Sequence, residues 1–140
     1  MKKVVIYIRK STLIQEYEHQ ENLLIDVCKK NDWEIIDTIR ETISGTKKNE
    51  DREGIAQLKQ VVLQKKPQVV VCWEISRISR TSLGFHQLLS FLTENKVSLY
   101  IQNLNLQTLD ESGRENHVTG LILALMAEIA KMEAELRKNL

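Results

Sequence analysis

Two short polar segments of the chain each follow a run of β-branched residues, and both carry arginine and hydroxyl groups. Arg9-Lys10-Ser11-Thr12 comes directly after Val4 to Ile8, and Glu74-Ile75-Ser76-Arg77-Ile78-Ser79-Arg80 comes directly after Gln68 to Trp73. Arg77 and Arg80 are three apart, so a single helical turn would put them on one face. Guanidinium forks grip phosphate oxygens bidentately, and three of them converging on one hydroxyl would stabilise a phosphoryl-transfer transition state better than lysines. Arg52, after a polar loop and at the start of a helical pattern, adds a basic group where helix N-termini also favour anions. Each piece has an ordinary alternative: Arg-x-Ser tripeptides are common, and two arginines three apart usually form a solvated face. Their joint position after two strands is what points to a phosphate site.

The elements that must position these residues follow from periodicity. Val4 to Ile8 is a continuous apolar run, the pattern of a strand buried on both faces. From about Glu16 to Lys30, Leu23, Leu24, Val27 and Cys28 recur at helical spacing, and Asn31-Asp32 ends that helix. Trp33 to Ile39 reads as a second strand and Arg40 to Asp51 as a polar loop whose charge will not pack in a core. Asp51 caps a helix bearing Ile55, Leu58, Val61 and Val62, and Lys65-Lys66-Pro67 stops it. Gln68 to Trp73 is a third strand, Ser82 to Asn95 a helix, and Val97 to Ile101 a fourth strand. Strands alternating with helices predict an α/β fold: a mainly parallel sheet of four to five strands with helices on both faces. In such sheets ligands bind beyond the carboxyl ends of the strands, where both basic segments lie.

The last segment differs. From about Arg114 the sole breaker is Gly120, and Val118, Leu121, Leu125, Ile129, Met132 and Leu136 alternate spacings of three and four, as in a coiled-coil seam. A helix of about 26 residues would run roughly 39 Å, longer than a small domain covers with its own core. Part of it is expected to meet a partner, and the chain is expected to be cut short within this helix.

Composition removes several function classes. The chain of 140 residues, 42% hydrophobic and 28% charged, holds one domain, and its net charge of +1 gives no global basic excess. Cys28 and Cys72 lack metal or disulfide spacing and read as buried thiols. No Walker, Rossmann, lipase or zincin motif is present, so neither a metal nor another cofactor is implied. His19, His86 and His117 sit in helical patterns as surface or partly packed residues. The absence of an apolar run of membrane-spanning length and of a signal peptide leads to the expectation of a cytoplasmic protein with no membrane partner.

At this level the sequence resembles the catalytic domain of serine site-specific recombinases, the resolvase/invertase group. Tyr7-Ile8-Arg9-Lys10-Ser11-Thr12 is similar to the family's Tyr-x-Arg-x-Ser opening, and Gln15 and Gln20 match its two downstream glutamines. Ser44-Gly45 with Asp51-Arg52-Glu53-Gly54 resembles its Ser-Gly loop and Arg-x-Gly helix start. Arg77-Ile78-Ser79-Arg80 resembles its Arg-Leu-Ser-Arg turn, and Gly120 to Arg137 its long dimerisation helix. The resemblance implies a flavodoxin-like layering in which residues 1–140 form the catalytic domain, with 114–140 the start of the oligomerisation helix. It implies Ser11 as the nucleophile, Arg9, Arg77 and Arg80 around the scissile phosphate, and Arg52, Gln15, Gln20, Tyr7, Ser44, Lys131 and Arg137 as phosphate-binding or supporting residues. DNA is the implied partner, with a homodimer through the last helix and a tetramer in the active complex.

Three departures stand out. Ser76 occupies the place where the family usually carries Asp, Lys131 a place where Arg is frequent, and the family's separate DNA-binding region has no counterpart in this sequence. Two other readings stay open: a regulatory module of the same fold without turnover, and a flavodoxin-like domain that cradles a phosphorylated small ligand.

Overall fold

The computed structural model describes residues 1–10, 14–42, 53–74 and 82–138. Along the chain run β1 (Lys3–Lys10), α1 (Ile14–Lys30), β2 (Glu34–Thr42), α2 (Glu53–Lys65), β3 (Val69–Cys72), α3 (Ser82–Glu94), β4 (Ser98–Ile101), β5 (Leu106–Gln107) and α4 (His117–Lys138). The five strands form one sheet in the order β2-β1-β3-β4-β5. The first four are parallel, and β5 returns antiparallel to β4 after a single 3-10 turn, Gln102–Leu104.

Both faces of β1 are apolar because both are covered. Val4, Ile6 and Ile8 join Val69, Val71 and Tyr100 under Leu24 and Cys28 of α1. Val5 and Tyr7 join Ile39, Val70, Cys72, Leu99 and Ile101 under Leu58, Val61 and Val62 of α2 and Phe85, Leu88 and Leu92 of α3. This is the two-sided burial that a continuous β-branched run encodes. One residue, Ile36, is extra in β2, because Val4 pairs with Ile35 and Val5 with Asp37. From there the two strands stay in step to Lys10 and Thr42.

Each of the first three helices is followed within two residues by a non-glycine residue in the left-handed region: Asp32 (φ 55), Lys66 (φ 50) and Lys96 (φ 58). The turn after each is closed by backbone bonds, for example Trp33 N–H to Cys28 at 2.9 Å and Val97 N–H to Leu92 at 2.8 Å.

Several boundaries depart from the sequence reading, β1 among them, which runs on from Ile8 through Arg9 to Lys10. β2 continues through Arg40, Glu41 and Thr42, which had been assigned to the polar loop. Arg40 lies on the α1 side and its Nε donates to Glu21 Oε1 at 2.7 Å, while Glu41 lies on the α2 side and is buried. Paired charges thus extend the strand past its apolar pattern. The last helix starts at His117, not near Arg114. Asp110 Oδ1 accepts from the backbone N–H groups of Ser112 (2.9 Å) and Arg114 (3.0 Å), which folds 110–115 into a turn, and Asn116 Oδ1 caps the helix through the Thr119 N–H at 3.2 Å. Beyond Gly120, Leu121, Ile122, Leu125, Glu128, Ile129, Lys131, Met132, Glu133, Glu135 and Leu136 are exposed and Ala124 is half-buried. Among the described residues no helix is long and apolar enough to cross a membrane.

Candidate active site

The connections from β1 and β3 leave the sheet in opposite directions, to α1 on one face and α3 on the other, although the two strands are neighbours. This reversal of winding opens a crevice at their carboxyl ends, the usual ligand position in sheets of this order. β1 ends at Lys10, immediately before Ser11, and β3 ends at Cys72, followed by the half-buried Trp73 and Glu74. Ser11, Ser44, Arg52, Ser76, Arg77 and Arg80 lie outside the described residues, so the structure shows the floor of the site.

That floor is polar and closed. Tyr7 is fully buried and its Oη donates to Glu41 Oε2. Arg9 is the next residue of β1 on the same face, 7% exposed, and its register partner on β2 is Glu41, 8% exposed. Charged groups this deep are normally paired, and Tyr7, Arg9 and Glu41 all have further partners. The first turn of α2 closes over them at Gly54, where an added Cβ would lie 2.8 Å from the Glu41 Cβ.

Gln20 is buried too, but on α1, the helix covering the opposite face. Gln15 belongs to the first turns of α1. Lys131 is exposed on α4, and Arg137 lies near the end of that helix. Of the residues singled out from sequence, the structure therefore brings together Tyr7 and Arg9, and adds Glu41 and Gly54. Glu41 was missed because a carboxylate at the edge of a polar stretch reads as loop. One signal for it existed: a tyrosine inside a fully buried strand needs an acceptor for its hydroxyl.

Cys72, at the end of β3, is not a competing nucleophile. Burial, reinforced by the charge of Glu74, pushes its thiol well above the ordinary range. Among the described residues no cluster of His, Cys, Asp or Glu is arranged to hold a metal ion.

Fold and site define a doubly wound α/β domain whose strand ends bear arginine over a buried tyrosine-glutamate pair. Residues 4–139 match the family described as Resolvase, N terminal domain, and the chain belongs to that family. It is similar to the N-terminal catalytic domain of TP901-1 integrase at 27% identity, over 96% of this chain and 98% of that one, with a TM-score of 0.69. A resolvase family site-specific recombinase from Streptococcus pneumoniae shares the fold at 21% identity and TM-score 0.71, over 99% of this chain and 91% of that one. The C-terminal catalytic domain of ISC1926 TnpA, an IS607-like serine recombinase, does so at 23% identity and TM-score 0.62, over 71% of this chain and 68% of that one. No curated protein matched by sequence.

Proposed function

We propose that residues 1–140 are the catalytic domain of a site-specific DNA recombinase that cleaves and rejoins strands through Ser11. The observation that carries this is the strand order. β1 and β3 are hydrogen-bonded neighbours, and the sequence leads from the end of one to Ser11 and from the end of the other to Arg77 and Arg80, which supports a shared phosphate.

In the proposed reaction Ser11 Oγ attacks a DNA phosphorus and its proton is released. The Oγ–P bond forms as the bond from phosphorus to the 3′ oxygen breaks, and that oxygen leaves protonated as a 3′-hydroxyl. The 5′-phosphoserine ester conserves the bond for rejoining when a 3′-hydroxyl attacks in reverse. Arg9, Arg77 and Arg80 neutralise the phosphate as charge develops, with Arg52, Gln15, Gln20, Tyr7 and Ser44 supporting and Lys131 and Arg137 as contacts from α4. An arginine-rich field lowering the serine pKa supplies the activation, so neither metal nor cofactor enters. Two subunits joined through α4 cleave two strands, and a tetramer exchanges them.

The test uses the chain fused to a sequence-specific DNA-binding module and a labelled duplex with paired sites. Denaturing gels are expected to show a covalent protein-DNA adduct with the native sequence and none with Ser11→Ala. Absence of adduct, with DNA binding and dimer formation verified, favours the regulatory module, and Ser76→Asp is then the first change to make.

A further inference from the structure

We infer that Glu41 is a positioning residue, whose buried carboxylate, bonded to Tyr7 and packed on Gly54, holds the first turn of α2 against the end of β1. The inference rests on the recombinase reading for its functional consequence, and on geometry alone for its structural one.

Three observations meet at this carboxylate. It is 8% exposed, although a carboxylate loses hydration on burial and a hydrophobic pair of similar size would fill the same space at less cost. It accepts from the Tyr7 hydroxyl, which itself has no exposure to water. It also touches the one described residue of the α2 first turn that has no side chain. Gly54 carries no left-handed φ to explain it, since Gly113 is the described glycine with positive φ. A glycine inside a helix is unfavourable relative to alanine, so its presence here is accounted for by the approach of Glu41, which leaves no room for a Cβ.

The consequence reaches the site through chain connectivity. Arg52 immediately precedes α2, and Arg9 is the register partner of Glu41 on β1. A negative charge beside the N-terminal turn of α2 complements the helix dipole and holds that turn down. One side chain thus sets the relative position of two elements that each deliver an arginine to the proposed phosphate site. Its role in this inference is orientation, acting through Tyr7 and Gly54.

Glu41→Gln keeps the size and the acceptor but removes the charge. Glu41→Asp keeps the charge but is one methylene too short to span from β2 to both Tyr7 and Gly54. Tyr7→Phe removes only the donor. Amide exchange on the 140-residue chain is expected to accelerate at least tenfold across Ile55 to Leu58 in both Glu41 variants, with β3 and β4 unchanged. In the adduct assay, the rate per folded molecule is expected to fall at least tenfold while DNA affinity stays within twofold, and Tyr7→Phe combined with Glu41→Gln to be no slower than the slower single variant. Unchanged exchange at the α2 first turn in both variants overturns the inference, as does an unchanged adduct rate. If the native sequence forms no adduct on bound DNA, the exchange result still decides the role of Glu41, and the failure belongs to the recombinase reading.

Discussion

Burial decides what the titratable side chains of this domain can do. Cys28 has no exposure to water, and desolvation raises its thiol from 9.0 to about 11. Tyr100 moves the same way, through burial and then through the neighbouring charge of Cys28. A raised acid binds its proton more tightly in the folded state, so this stability is complete below pH 9.0 and is lost as pH climbs toward about 11. Urea midpoints are expected to fall across that interval, and Cys28→Ala to flatten the fall; identical slopes would remove Cys28 as the cause. Gly54 supports a second residue-scale prediction: Gly54→Ala is expected to cost about 1–3 kcal/mol by overpacking. In a Glu41→Ala background the same change becomes neutral or stabilising, because the colliding group is gone and alanine is the better helix former. Unfolding curves of the four proteins check it. Arg9 was singled out because it directly follows a β-branched run, and Tyr7, inside that run, through the family resemblance alone. Glu41 was not, because its partner lies 34 residues away in sequence and local polarity outweighs it.

Elements were legible wherever burial writes a period. The three apolar strands and the faces of α1, α2 and α3 are where the pattern puts them, since both sides of β1 and one side of each helix are covered. The end of β2 and the start of α4 were misplaced, because each is decided by side-chain bonds: Arg40 to Glu21, Asp110 to Ser112 and Arg114, Asn116 to Thr119. Helix termination offers a direct test. Lys96 sits at φ 58, where a Cβ costs about 1–2 kcal/mol, so Lys96→Gly is expected to stabilise by about 0.5 kcal/mol after its entropic penalty. A lower melting temperature would show that the lysine side chain contributes there. On α4, Leu121 is 72% exposed, Leu125 59%, Ile129 46% and Leu136 64%, a stripe that one copy of the chain leaves in water. Replacing Leu125 and Ile129 by glutamate is expected to shift sedimentation toward monomer while stability changes by no more than about 0.5 kcal/mol, the range of surface substitutions.

The whole molecule has almost no net charge, yet its proposed ligand is a polyanion, so the proposal assigns the attraction to Arg9, Arg52, Arg77 and Arg80 acting together. If three to four of them engage phosphates, the logarithm of the DNA affinity should fall with the logarithm of salt at a slope of about −3 to −4. Fluorescence anisotropy between low and physiological salt measures it, and a flat line would remove the phosphate contacts. The α/β class and the four parallel strands could be read from sequence because alternation of strands and helices leaves few topologies; the antiparallel β5, only two residues long, writes no pattern of its own. There is a mechanical side to this architecture. α4 is 22 residues long, about 33 Å at 1.5 Å per residue, and among the side chains described on it the buried one is Thr119, in the first turn. It is a lever with its fulcrum at one end. A tilt of about 10° at Thr119 carries the far tip, about 28 Å away, sideways by roughly 5 Å. Small adjustments where the helix leaves the domain are therefore amplified into displacements of several ångström at its far end.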